Sequence, residues 1–224
     1  VPDDWVHVPS FKAKSAPDPS DVKEAAALLA GADRPVIYAG QGIHYAKAWK
    51  ELKDLAERWN IPVTTSIEGK SAFPEDHPLS LGSGGRANSR PVKRYLEESD
   101  LILGLGVSFA LTAFGVPMPP GKKIIHATLD PMDLNKDVPA DIGLIGDAKL
   151  TLTALNSQLS NADKSKAAAR TNEPEKINQL KEEWMQEWSP KLTNNEAPIN
   201  PYRVVAELNQ LVDKEKVVIT HDAG

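Results

Sequence analysis

Several turns in this chain place glycine or a carboxylate where a backbone could meet an anionic ligand. Gly40-Gln41-Gly42 follows the short apolar run Pro35–Ala39 and precedes a helical pattern. Glycines at such a turn let main-chain N–H groups approach a phosphate at a helix N-terminus. A plain tight turn explains them equally well, and both readings stand. Gly104-Leu105-Gly106-Val107-Ser108-Phe109 closes a second apolar run, in the middle of the strand series, where crevices form in α/β sheets. Gly82, Gly84 and Gly85 sit in a long polar loop just before Arg86, a guanidinium able to pair with phosphate; the same glycines also permit a simple turn. Asp130-Pro131 ends a further run, as an acid for a ribose hydroxyl or as the start of a helix. Gly146-Asp147 reads as a helix cap.

Other chemistries are poorly served. A third glycine of the dinucleotide fingerprint would fall at position 45, where Tyr45 stands, and its acid would fall where Thr64 and Thr65 stand. No cysteine is present, which removes disulfides, thiolate metal sites and cysteine nucleophiles. The five histidines show no metal-ligand spacing, and His77, between Asp76 and Pro78, reads as a solvated or capping residue. No nucleophile–base pair stands out, so no catalytic residue and no metal ligand is assigned. The net charge of −5 argues against nucleic acid or an anionic membrane surface as partner. No apolar run approaches the ~20 residues of a membrane helix, and no signal peptide is evident. A cytoplasmic location is the resulting expectation.

The elements that would position these turns follow from periodicity. Asp18-Pro19 starts a helix carrying Val22, Ala25, Ala26 and Leu29, closed by Gly31. Strands are expected at 35–40, 62–66, 101–106, 123–129 and 142–145. Helices are expected with Trp49, Leu52, Ala56 and Trp59 as one stripe, with Val92, Tyr95 and Leu96 as another, and over 147–159. The stretch from Ile67 to about Asn88 reads as one long loop. Strands apolar on both faces, alternating with helices, predict an α/β fold: a Rossmann-like parallel sheet with helices on both faces, over residues 18–160. Residues 161–199 read as a linker with a helix that bears Ile177, Leu180, Trp184 and Trp188 and is broken from Pro190. From Asn200 a last helix and a strand at 216–220 begin another α/β unit, so the chain is expected to be part of a longer polypeptide.

Taken together, these segments resemble a known family. Gly69-Lys70-Ser71-Ala72-Phe73-Pro74-Glu75-Asp76-His77-Pro78-Leu79-Ser80-Leu81-Gly82 is similar to a loop of thiamine-diphosphate-dependent enzymes of the acetolactate synthase type. Ser99 to Gly106, Ile125-His126 through Asp130-Pro131, and Gly146-Asp147-Ala148 fit the same family in spacing. The resemblance spans about residues 18–224 and implies three domains. On that view residues 1–17 leave a first, pyrimidine-binding domain, 18–160 are the central domain, and 200 onward opens the diphosphate-binding domain, with Gly224 in a turn against the cofactor. It implies thiamine diphosphate and Mg2+ in the parent protein, a small 2-keto acid as substrate, and a homodimer or homotetramer. Some relatives hold FAD or ADP on the central domain, and Gly40, Gly42, Gly82, Gly106, Ser108 and Asp130 are the candidates for that role here. The arginines that flavin-binding relatives carry after the third expected strand are missing from Gly106-Val107-Ser108-Phe109-Ala110-Leu111-Thr112, which weighs against FAD and leaves ADP or another nucleotide. A stand-alone nucleotide-binding or interaction domain is the competing reading.

Overall fold

The computed structural model describes residues 14–85, 88–113 and 115–220. Asp18 accepts from the Ser20 N–H and Pro19 opens α1, Pro19–Gly31, so sequence and cap agree. Strands β1, Pro35–Ala39; β2, Val63–Thr65; β3, Ser80–Ser83; β4, Leu101–Leu105; β5, Lys123–Thr128; and β6, Ile142–Ile145, form one sheet in the order β3-β2-β1-β4-β5-β6. Every neighbouring pair is parallel. Ile37, Ile102, Leu103, Ile125 and Leu144 are buried, as strands covered on both faces require. This bears out the expected fold class.

Helices α2, Gly42–Ala46, and α3, Trp49–Trp59, carry the chain from β1 to β2. Helix α4, Arg90–Glu98, carries it from β3 back across the sheet to β4. The direction of travel reverses between these crossovers, so right-handed connections put α3 and α4 on opposite faces. Helix α5, Ala148–Leu159, packs against α1 and α3, and Asp147 caps it by accepting from the N–H groups of Lys149 and Leu150.

Four features differ from the sequence expectation. A sixth strand, β3, lies within the stretch read as one loop; a register shift against β2 and Gly82 at φ +91° disguise its alternation. On α3 the buried stripe is Leu52, Leu55, Ala56 and Trp59, while Trp49 is exposed and donates through its indole to His44 Nδ1. Helix α7, Glu173–Leu192, continues through Pro190 for two further residues, although the proline removes one i→i−4 hydrogen bond. Residues 216–220 are not paired as a strand, and Val217, Val218 and Ile219 are exposed.

Residues up to Asn178 cluster as one compact unit and Gln179 onward as a second. In the second, Trp184, Trp188 and Tyr202 make an aromatic cluster, with the ring of Tyr202 edge-on to Trp188. Arg203 of α8, Pro201–Leu211, donates to the Asn194 carbonyl.

Within the first unit, the polar stretch after α5 holds helix α6, Ser165–Ala169, and a buried arginine. Arg170, only 4% exposed, donates through Nε and Nη2 to the Trp59 carbonyl and through Nη1 to the Ala32 carbonyl. One guanidinium thus satisfies the C-terminal carbonyls of α3 and α1, which have no helical partner of their own. Replacing Arg170 with Met should lower stability to urea by about 2–4 kcal/mol, since charge-assisted bonds are lost and buried carbonyls are left bare. Unchanged stability would show that water takes over both carbonyls.

Candidate functional site

In a sheet of this order the crevice lies where strand direction of travel reverses, between β1 and β4. A cavity of about 420 Å³ opens there at the carboxyl ends of the strands. Gly40, Gly42, Gly106, Ser108 and Asp130 all line it, so the structure brings five of the seven candidate residues together. Gly82, on the β3 edge, is not among the lining residues. Gly224 and Arg86 lie outside the described residues.

The glycines of this crevice face one another. A Cβ on Gly40 would come within 2.4 Å of the Gly106 carbonyl oxygen, one on Gly42 within 2.6 Å of Gly106 Cα, and one on Gly106 within 2.7 Å of Gly42 Cα. Gly106 has φ +61°, which itself favours glycine. Main-chain bonds draw the two turns together: Gly40 N donates to Leu105 O at 2.9 Å, and Gly42 N to Gly106 O at 3.0 Å. Ile43 N donates to Gly40 O and His44 N to Gln41 O. The tight-turn reading of these glycines thus has direct geometric support.

Above the sheet, the loop after β4 folds Phe109 inward. Its ring stacks on Tyr38 at 5.8 Å and meets His126 edge-on at 4.8 Å. Gly104, inside β4, makes the room: a Cβ there would sit 2.3 Å from the Phe109 ring. Phe109 itself adopts φ +51°, a left-handed conformation that bulky residues rarely hold. Burial and the nearby Glu68 charge push the Tyr38 hydroxyl up to about 12, so it stays neutral. His126 is fully buried and donates from Nε2 to the Val107 carbonyl at 2.8 Å if, as the surroundings suit, that nitrogen carries the proton. Burial holds its imidazole below the ordinary value of 6.5, against the smaller opposing effects of Val107 and Asp133.

Charge around the cavity has one sign. Glu68, Asp130 and Asp133 line it, and no Lys, Arg or His does among the described residues. Asp130 Oδ1 accepts from Met132 N, capping the single 3-10 turn Pro131–Asp133, and Asp133 Oδ2 accepts from Thr128 Oγ1. The cap reading of Asp130 is therefore the one with a visible bond. Sequence reasoning missed Tyr38, Glu68, Phe109 and Asp133 as lining residues; Gly104 within a strand was the signal for the close approach of Phe109.

The family-like loop is held by its own polar groups. His77 Nδ1 accepts from Leu79 N, its Nε2 meets Glu57, and its ring packs edge-on against buried Phe73. His77 is thus a capping residue, and at 12% side-chain exposure more buried than the expected solvated one. Lys70 pairs with Glu75, which also accepts from Ser83 Oγ. No group of His, Asp or Glu that could hold a metal occurs among the described residues, and no helix is long and apolar enough to cross a membrane.

Comparison with known proteins agrees with this architecture. A family model described as "Thiamine pyrophosphate enzyme, central domain" matches residues 22–155. A protein of Methanocaldococcus jannaschii named "Probable acetolactate synthase large subunit" is 34% identical over 229 residues, covering 98% of this chain and 37% of that protein. The acetolactate synthase of Mycobacterium bovis is 35% identical over 156 residues, covering 69% of this chain and 25% of that enzyme. Among solved structures, benzoylformate decarboxylase from Polynucleobacter necessarius superposes with a TM-score of 0.58 at 27% identity, over 71% of this chain and 30% of that one. The chain therefore spans between a quarter and two fifths of the length of these relatives.

Two outcomes test the geometry. Gly106→Ala combines a left-handed backbone with a backbone clash and should cost about 2–5 kcal/mol in urea unfolding, whereas Gly82→Ala, with nothing near its Cβ, should cost about 1–2 kcal/mol. Equal losses would refute the mutual packing of the two turns. For His126, the unfolded chain takes up a proton near pH 6.5 while the folded chain resists it, so stability falls as pH drops below 6.5. The thermal midpoint should decline more shallowly below that pH in His126→Gln than in the parent; parallel declines would remove His126 as a cause.

Proposed function

The chain belongs to the thiamine pyrophosphate enzyme family, whose central domain it carries, and on that premise we propose that it is a section of a thiamine-diphosphate-dependent enzyme acting on 2-keto acids, of the acetolactate synthase type. One observation carries the reading beyond the fold. Similarity to the relative from Methanocaldococcus jannaschii runs over 98% of the chain, through α6, α7 and α8, well past the sheet and past the family model's end at residue 155. A stand-alone Rossmann-like domain gives no reason for that continuation.

In this reading residues 18–160 are the central domain and residues from about 200 lead into a diphosphate-binding domain. Thiamine diphosphate, with Mg2+, supplies the carbanion chemistry that breaks and makes carbon–carbon bonds beside a carbonyl. The described residues offer no donor set for the metal, so no catalytic step is assigned to them. Their part is mechanical. The parallel sheet, its zipped crevice and the Arg170 tie make a rigid body that sets the spacing of the elements before and after it. The enzyme is expected to work in the cytoplasm as a homodimer or homotetramer, on a small-molecule substrate.

The test is turnover. The natural polypeptide that carries this chain, supplied with thiamine diphosphate and Mg2+, should release CO2 from a 2-keto acid such as pyruvate, and residues 1–224 alone should release none. Absence of thiamine-dependent turnover across a panel of 2-keto acids would sink the reading.

A further inference from the structure

We propose that the crevice between β1 and β4 is closed to nucleoside diphosphates, so that this central domain carries no ADP or FAD. The inference takes from the family reading only the choice of ligands to test, and it stands on three independent features of the crevice.

A diphosphate needs N–H donors or cations at its oxygens. Gly40, Gly42, Ile43, His44 and Gly106 all spend their N–H groups on chain carbonyls. In the loop that lines the other side, Ala110 N donates to Ser108 Oγ, Leu111 N to an Asp137 carboxylate oxygen and Gly115 N to Thr112 Oγ1. Two of these bonds, Gly40 N to Leu105 O and Gly42 N to Gly106 O, join the two sides of the crevice, and the others are spent within each turn or on neighbouring elements, so these N–H groups already have acceptors.

Electrostatics act in the same direction. Glu68, Asp130 and Asp133 line the cavity with no cationic side chain among the described residues. A diphosphate placed there meets like charge within roughly one Debye length, about 8–10 Å, where salt screens little. Sterics complete the case. Phe109 lies over the sheet against Tyr38 and His126, in space that Gly104 leaves for it. A flat ligand ring seeking that surface finds a phenyl group already stacked there.

The experiment is calorimetric titration of ADP, FAD and adenosine into the natural polypeptide that carries this chain, after circular dichroism has shown it folded. Neither ADP nor FAD should give saturable binding up to about 1 mM, the weak end of specific recognition, and adenosine should bind at least as well as ADP. Saturable ADP or FAD binding below about 1 mM, or ADP binding tighter than adenosine, overturns the proposal. Loss of such binding in Arg86→Ala would then identify the cation that defeats it. Because turnover with thiamine diphosphate is measured separately, an ADP-binding enzyme would overturn this inference and leave the thiamine reading intact.

Discussion

The close approach of two glycine turns is the contact on which the top of this sheet depends. Gly40 and Gly42, leaving β1, and Gly106, leaving β4, meet backbone to backbone, with hydrogen bonds in place of side chains. Strands β1 and β4 are the central pair, and from them the chain spreads outward in both directions. In many sheets of this order the same place is left open, and its spare N–H groups receive a ligand. Here the N–H groups of Gly40 and Gly42 bridge instead to the β4 turn, beside the cavity that the two turns line. The position of the loop after β4 follows, because Gly106 at φ +61° turns the chain so that Phe109 comes back over Gly104.

Once the centre is fixed, the edges need other devices. The β2–β3 crossover has no helix, so its loop inserts side chains into the main core instead: Ala72, Phe73 and Leu79 are all buried there, and His77 caps a turn of the same loop. Just before the chain enters β1 and β2, Arg170 ties the C-termini of α1 and α3 to the segment after α5. Burying a guanidinium costs free energy unless its donors are met, and the three bonds to helix carbonyls meet them.

Much of this was legible in the sequence, for physical reasons. Short apolar runs marked five of the six strands, three of them closed by glycine, and Asp18-Pro19 and Asp147 marked helix starts, because parallel sheets and caps have strong local signatures. Strand β3 was hidden: Ser80–Ser83 is short, half-polar and offset in register. The strand at 216–220 was read from apolar character alone, yet a strand needs a paired neighbour, and these residues are not paired. The crevice was half legible. Glycines after the strands marked Gly40-Gln41-Gly42 and Gly106 as turns, and the family resemblance grouped them as one site, but neither can tell whether the missing Cβ faces a ligand or another backbone. Glu68 gave no local signal, because its place is set by contacts across the fold, and the approach of Phe109 was marked only by the strand glycine Gly104.

That ambiguity bears on how a central domain can keep its shape while its ligand chemistry changes. A glycine that admits a phosphate and a glycine that admits a carbonyl are the same residue under the same steric demand. The turn geometry therefore persists whether or not anything is bound, and the discriminating changes fall on the residues around it. In this chain those are the uncharged stretch from Val107 to Thr112 and the carboxylates Glu68, Asp130 and Asp133. Val107 and Phe109 share one core with Ile37, Leu103 and Ile125, so substitutions of those two also act on the strands beneath, whereas changes at the carboxylates alter the field of the crevice. On the proposed reading the glycine turns bind only each other and the domain acts as a spacer, to which the covered sheet gives stiffness.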